Sequence, residues 1–162
     1  MKAFDNYVAI DPDTQKSGVA FIEAATRKLE VSALTFPELI DYLKWAKRIS
    51  TESGQTVLIA IEAGWLNSIS NYHTAANRAG QRIAKNVGAN HAVGKLTVET
   101  ARNMGLEVVE QKPLRKIWKK GKISMDELNS LLQFKKMGTL DRRVNQDCRD
   151  SVLLALFTAN IL

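Results

Sequence analysis

Tyr7-Val8-Ala9-Ile10 is a short apolar run that ends on Asp11, and a polar turn closed by Gly18 leads into a second run, Val19 to Glu23. Leu29 to Leu34 alternates apolar and polar positions, as a third strand does. The breaks between these runs are short, which predicts an antiparallel meander. Pro37 opens a helix in its first turn, where its missing N–H costs nothing. Leu39, Leu43, Ala46 and Ile49 follow at helical spacing, and Gly54 lies past the end. Val57 to Ile61 is apolar throughout, the mark of a central strand covered on both faces, and it ends on Glu62. A polar loop follows. A long helix is then predicted from about Ala75 to Met104, stopped by Gly105. Gly80, Gly88 and Gly94 inside it each cost about 1 kcal/mol of helix propensity, so they suggest close packing or a break.

Leu106 to Val109 reads as a fifth strand that ends near Gln111. Leu114 to Lys120 reads as a short basic helix before Gly121. Ser124 with Glu127 is a capping-box start for the next helix, which continues through Leu128, Leu131 and Leu132. The last helix is predicted from about Asn145 to Ile161, with Cys148, Val152, Ala155, Leu156 and Ala159 as its core-facing stripe. Strands followed and separated by helices give an α/β class with a mixed sheet.

Composition narrows this only slightly. The chain has 162 residues, 45% hydrophobic and 25% charged, which fits a single domain over residues 1–162. There is no apolar run of membrane-spanning length and no signal-peptide pattern at the start, and Cys148 is the only cysteine, so a cytoplasmic protein without disulfides is expected. The net charge of +6 favours a polyanionic partner.

The acids change the picture more. The helix between the first and fourth strands can serve as the crossover that makes them parallel neighbours. Asp11 and Glu62 then emerge at the same carboxyl edge, where open α/β sheets place their sites. Asp147 and Asp150 are three apart, so they share a helix face, in the turns where the dipole tolerates negative charge. Taken singly, Asp11 reads as a turn residue and the other pair as helix N-terminal charges. Carboxylates that converge need a cation, and all-oxygen ligation suits Mg²⁺ or Mn²⁺ rather than zinc. Two such ions about 4 Å apart suit in-line displacement at a phosphodiester.

In this arrangement the chain resembles the RuvC family of Holliday-junction resolvases, within the ribonuclease H-like superfamily. The residues that carry the resemblance are Ala9-Ile10-Asp11-Pro12 with Gly18, Ala60-Ile61-Glu62, the segment Lys112 to Gly121, and Asn145-Gln146-Asp147-Cys148-Arg149-Asp150-Ser151. They occur in order over nearly the whole chain. The resemblance implies a ribonuclease H-like fold: a five-stranded mixed sheet, three antiparallel strands then two parallel, flanked by helices. It implies that Asp11, Glu62, Asp147 and Asp150 are catalytic and hold two Mg²⁺ or Mn²⁺ ions. It implies a homodimer acting on branched DNA, a four-way junction, with each subunit nicking one strand. The long central helix would make the dimer contact, giving its glycines a use, and Trp65 would stack on a base. One departure is Asp13, where the family has glycine, an extra carboxylate near the site.

Lys112, Arg115, Lys116, Lys119, Lys120 and Lys122 crowd together with no acid among them. Alone, such a run is a solvated face; beside a carboxylate centre it is a phosphate track. Arg142, Arg143 and Arg149 lie before or among the terminal acids. Trp65 either stacks on a base or packs on the sheet edge, Trp118 reads as core, and His73 and His91 have no metal-ligand spacing. The expected function is metal-dependent hydrolysis of a four-way junction. The alternatives are a nuclease of the same superfamily acting on another branched or hybrid nucleic acid, and a non-catalytic junction-binding relative. An actin-like ATP-binding protein also opens with strand, aspartate, turn and strand, but it needs two such domains and glycine-rich phosphate loops.

Overall fold

A computed structural model describes residues 2–67, 78–115, 118 and 121–162. The elements run β1 (Asn6–Asp11), β2 (Ser17–Glu23), β3 (Lys28–Leu34), α1 (Phe36–Glu52), β4 (Val57–Glu62), α2 (Arg78–Asn103), β5 (Glu107–Gln111), α3 (Met125–Phe134) and α4 (Gln146–Thr158). The sheet order is β3-β2-β1-β4-β5. β1 pairs antiparallel with β2 and β2 with β3, while β1–β4 and β4–β5 are parallel. Three antiparallel strands followed by two parallel ones, flanked by helices, are the arrangement that the sequence leads one to expect of a ribonuclease H-like fold. α1 is the crossover that carries the chain from the meander to the far side of β1, as the sequence predicts.

The strands alternate between two cores. Val8, Ile10, Val19, Ile59 and Ile61 face α1 and the C-terminal part of α2. Tyr7, Ala9, Ala20, Ile22 and Ala60 face α4, with α3 beyond it. Ala9, Ala20 and Ala60 are the small members of this face, and they let the helix lie close to the sheet. α4 is not the one-sided helix that its sequence predicts. Asp150, Ser151, Leu153 and Leu154 are buried along with Cys148, Val152, Ala155 and Leu156. The reason is that Leu128, Leu132 and Val144 cover the side away from the sheet.

Other boundaries shift by local chemistry. Asn145 lies outside α4 as its N-cap, accepting the Cys148 N–H at 2.9 Å. Lys112 to Arg115 are not helical, and Lys116, Ile117, Lys119 and Lys120 of the expected basic helix lie outside the described residues, as does His73. Among the described residues no helix is long and apolar enough to cross a membrane. The glycines of α2 do not act alike. Gly94 makes room for Trp65 and Pro12 rather than for another helix, and an added Cβ at Gly88 would meet nothing within 4 Å.

Carboxylates cap several elements. Glu38 accepts the Thr35 N–H at 2.7 Å, Glu127 the Ser124 N–H at 2.8 Å, and Asp5 the Thr56 N–H at 2.7 Å. These backbone bonds, helped by the neighbouring hydroxyls, hold all three below the usual carboxylate range. A carboxyl whose pKa falls on folding contributes stability above its unfolded value and loses it as the pH drops through the folded one. Melting temperature should therefore fall on acidification through the carboxylate range, and the fall should be shallower in a Glu38→Gln/Glu127→Gln variant. Parallel curves for the two proteins would contradict this.

Candidate active site

Parallel pairing sets Ile10 against Ile61, so Asp11 and Glu62 leave adjacent strands at the same edge. Side chains alternate along a strand. Asp11 therefore follows Ala9, and Glu62 follows Ala60, on the face that α4 covers. Both are half-buried.

Gly18 brings the terminal acids to this edge. It pairs with Asp11 across β1 and β2. A Cβ on Gly18 would lie 2.2 Å from the carbonyl carbon and oxygen of Asp147 and 2.6 Å from the Cys148 nitrogen. Only a glycine allows this contact, and it seats the first turn of α4 on the strand beside Asp11. Asp150 follows one turn on and is buried, accepting a hydrogen bond from Gln146 Nε2 at 2.8 Å. Gln146 in turn accepts from Arg149 Nη2 at 2.8 Å, and Arg149 also donates to the carbonyls of Ile123 and Val144. That arginine is engaged in holding the start of α4.

Cys148 reports on the local field. Burial pushes its thiol up, and the charges of Asp147 and Asp11 add to this, against a Val19 backbone hydrogen bond and Arg142. Its Sγ donates to the Ser32 carbonyl at 3.4 Å, so it is a core residue, as its place in the sequence suggests.

The donor set, four carboxylates on one edge, is chemically suited to Mg²⁺ or Mn²⁺. Among the described residues, however, no three Asp, Glu, His or Cys side chains gather closely enough to hold one ion. The backbone brings the four acids to a common edge without their side chains closing around one point. Like charges that close together repel unless a cation lies between them.

The other side of the edge is built by α2. A cavity of about 190 Å³ there is lined by Asp11, Glu62, Trp65, Asn90 and His91, among others. Trp65 is half-buried in a 3₁₀ turn, Gly64–Leu66. Its Nε1 donates to Glu110 at 2.9 Å, and Glu110 also pairs with Arg102 at 3.0 Å. His91 meets the indole edge-on with ring centroids 5.9 Å apart. Burial and the Lys95 charge lower the pKa of His91, favouring the neutral imidazole. The indole thus rests on α2 and the β5 side of the sheet. His91, which sequence spacing left unassigned, lines the same cavity as two of the acids; no local signal pointed to it.

Asp13 has a structural use. Its Oδ1 accepts the Gln15 N–H at 2.8 Å, an Asx turn, and its Oδ2 accepts from Asn90 Nδ2 at 3.1 Å. Asn90 returns a bond, its Oδ1 accepting the Thr14 N–H at 3.1 Å. Asp13 therefore ties the hairpin after Asp11 to α2. Asp13→Ala is expected to cost about 1–2 kcal/mol, the net worth of one or two such bonds, and to lower the melting temperature by a few degrees. The midpoint of a Mn²⁺ titration should not move; a weakened midpoint would make Asp13 a ligand.

Lys112, Arg115 and Lys122 are all exposed, and of the other predicted phosphate contacts Lys116, Lys119 and Lys120 lie outside the described residues.

No protein-family model matches this chain, and no curated protein matches it either. Solved structures do match. One is T. thermophilus RuvC in complex with a Holliday-junction substrate, 12% identical over 93% of this chain and 90% of that one, with a TM-score of 0.46. The strand order and the placement of the acids come from this chain's own residues.

Proposed function

We propose that this chain is a divalent-metal-dependent, structure-selective DNA endonuclease that favours four-way junctions. The observation that carries the proposal is the contact of Gly18 with the backbone of Asp147 and Cys148, which brings a third and fourth carboxylate to the edge already holding Asp11 and Glu62. Asp11, Glu62, Asp147 and Asp150 would hold the ions. When bound, these supply a Lewis acid for the phosphodiester and lower the pKa of a water to the neutral range. The carboxylates fix the position of the reacting phosphate relative to that water. Exposed Lys112, Arg115 and Lys122, with Lys116, Lys119 and Lys120 of the same run, bind phosphates and orient the strand.

Symmetric nicking needs two copies. The N-terminal half of α2 is largely exposed, with Ile83 at 50% and Leu96 further along at 53%. This supports a homodimer formed along that helix. The domain is taken as residues 1–162, acting in the cytoplasm.

The alternative reading is a junction-binding relative that does not cleave. A nuclease acting on RNA–DNA hybrid uses the same acids and differs only in substrate. Titration with Mn²⁺, followed by its spin-resonance signal, separates binding from catalysis. Saturable uptake that Asp147→Asn/Asp150→Asn weakens at least tenfold supports the nuclease. No uptake at millimolar metal, with junction binding intact, supports the non-catalytic relative.

A further inference from the structure

The carboxyl edge has a basic flank on the side away from the Lys112 segment. A cleft of about 430 Å³ is lined by Lys16, Arg142 and Arg143, with Ser32 and Asn145, and no acidic side chain lines it. Lys16 lies at the tip of the β1–β2 hairpin, next to Ser17, which pairs with Leu34 at the end of β3. Arg142 is braced by donating from Nη2 to the Val31 carbonyl at 2.8 Å, and Lys16 and Arg143 are exposed. Cys148 and Asn145 line it as well, and they flank Asp147 in the first turn of α4, so the cleft adjoins the acidic edge. Of the acids nearby, Asp141 lines the neighbouring cleft beyond the two arginines, and Glu38, within electrostatic reach of Lys16, is already capping α1.

From this placement we infer that the nucleic-acid backbone crosses the sheet edge transversely, from Lys112 beyond β5 to Lys16, Arg142 and Arg143 beside β3. These three residues hold phosphates on the far side of the cut. The inference rests on the nuclease reading and adds a direction and a second contact sector to it. Strands lie about 4.8 Å apart, so β1 is about 10 Å from β3 and the whole edge spans about 19 Å. Basic sectors on both flanks let the acids act on a strand gripped on either side, offsetting the repulsion between carboxylates and phosphate.

The test uses full-length protein carrying Asp11→Asn to prevent cleavage, with and without Lys16→Ala/Arg143→Ala. Both added positions are exposed, and the Arg142 brace is left intact. Binding to a labelled four-way junction is measured from 50 to 200 mM salt. Loss of two phosphate contacts should reduce the salt slope by about 1.8, so across that range the parent should lose about tenfold more affinity than the variant. Junctions with single neutral methylphosphonates should then weaken binding of the parent on both sides of the cleavage position mapped with wild-type protein. The variant should lose that sensitivity on one side only. An unchanged slope, or unchanged sensitivity on both sides, overturns the second sector while leaving the nuclease reading standing. A parent that binds no nucleic acid overturns both.

Discussion

Asp11→Asn is expected to abolish phosphodiester cleavage while leaving junction binding intact. The substitution keeps the size and shape of the side chain and removes one negative charge at the C-terminal end of β1. Asp11 is the acid to which the others are referenced: Glu62 leaves the adjacent strand, and Asp147 is seated against its cross-strand partner Gly18. Removing one charge-stabilising group from a catalytic site costs about 10²–10³ in rate, and loss of a shared metal ligand belongs at the upper end of that range or beyond it. Binding should be equal or slightly tighter, because one charge that repels phosphate is gone. Gel cleavage and fluorescence anisotropy on the same junction check the two halves. Asp41→Asn, an exposed residue paired with Lys44 on α1, should change neither. Parallel loss of binding and cleavage in Asp11→Asn would instead assign Asp11 to folding or to DNA contact.

Gly18→Ala should be the most damaging small substitution in the sheet. The new methyl group would overlap the Asp147 carbonyl at 2.2 Å, and the obstacle is backbone rather than a side chain that can swing away. Relief requires α4 to lift from β2. Overpacking a close contact costs about 1–3 kcal/mol, and a clash with backbone belongs near the top of that range. For a chain of this size that is a fall of roughly 6–12 °C in melting temperature. Cleavage should drop more than stability, because the displaced helix carries Asp147 and Asp150. Gly88→Ala supplies the opposite sign: nothing lies within 4 Å, and alanine in a helix gains up to about 1 kcal/mol over glycine. Thermal melts of the two variants beside wild type check both directions, and a neutral Gly18→Ala would remove the main support for a shared acidic edge.

The parts of this fold that were legible in the sequence are those fixed by local pattern. The apolar runs ending on Asp11 and Glu62 are strands, the helix between them is the crossover, and Ser124 with Glu127 caps α3 as its spacing predicts. The parallel pairing of β1 and β4 followed from that crossover, and with it the shared edge for two acids. What was not legible depends on contacts far apart in the chain. Gly18 reads as a turn glycine, and its use as a seat for α4 exists only once the helix is packed. Asp13 looks like an added site carboxylate until Asn90, 77 residues away, is seen to hold it. Trp65 finds its acceptor Glu110 at a separation of 45 residues. The burial of Asp150 was hidden because α4 shows an apolar stripe on one side, while its cover on the other comes from α3 and Val144.

Four carboxylates on one sheet edge are proposed to cut a nucleic-acid backbone with divalent metal. The most direct measurement incubates the protein with Mg²⁺ or Mn²⁺ and end-labelled four-way, forked, duplex and RNA–DNA hybrid substrates, with chelator controls. Paired, symmetric nicks near the centre of the four-way junction are expected, leaving 5′-phosphates and disappearing on chelation. Binding of the junction with no cleavage of any substrate in either metal would contradict that proposal.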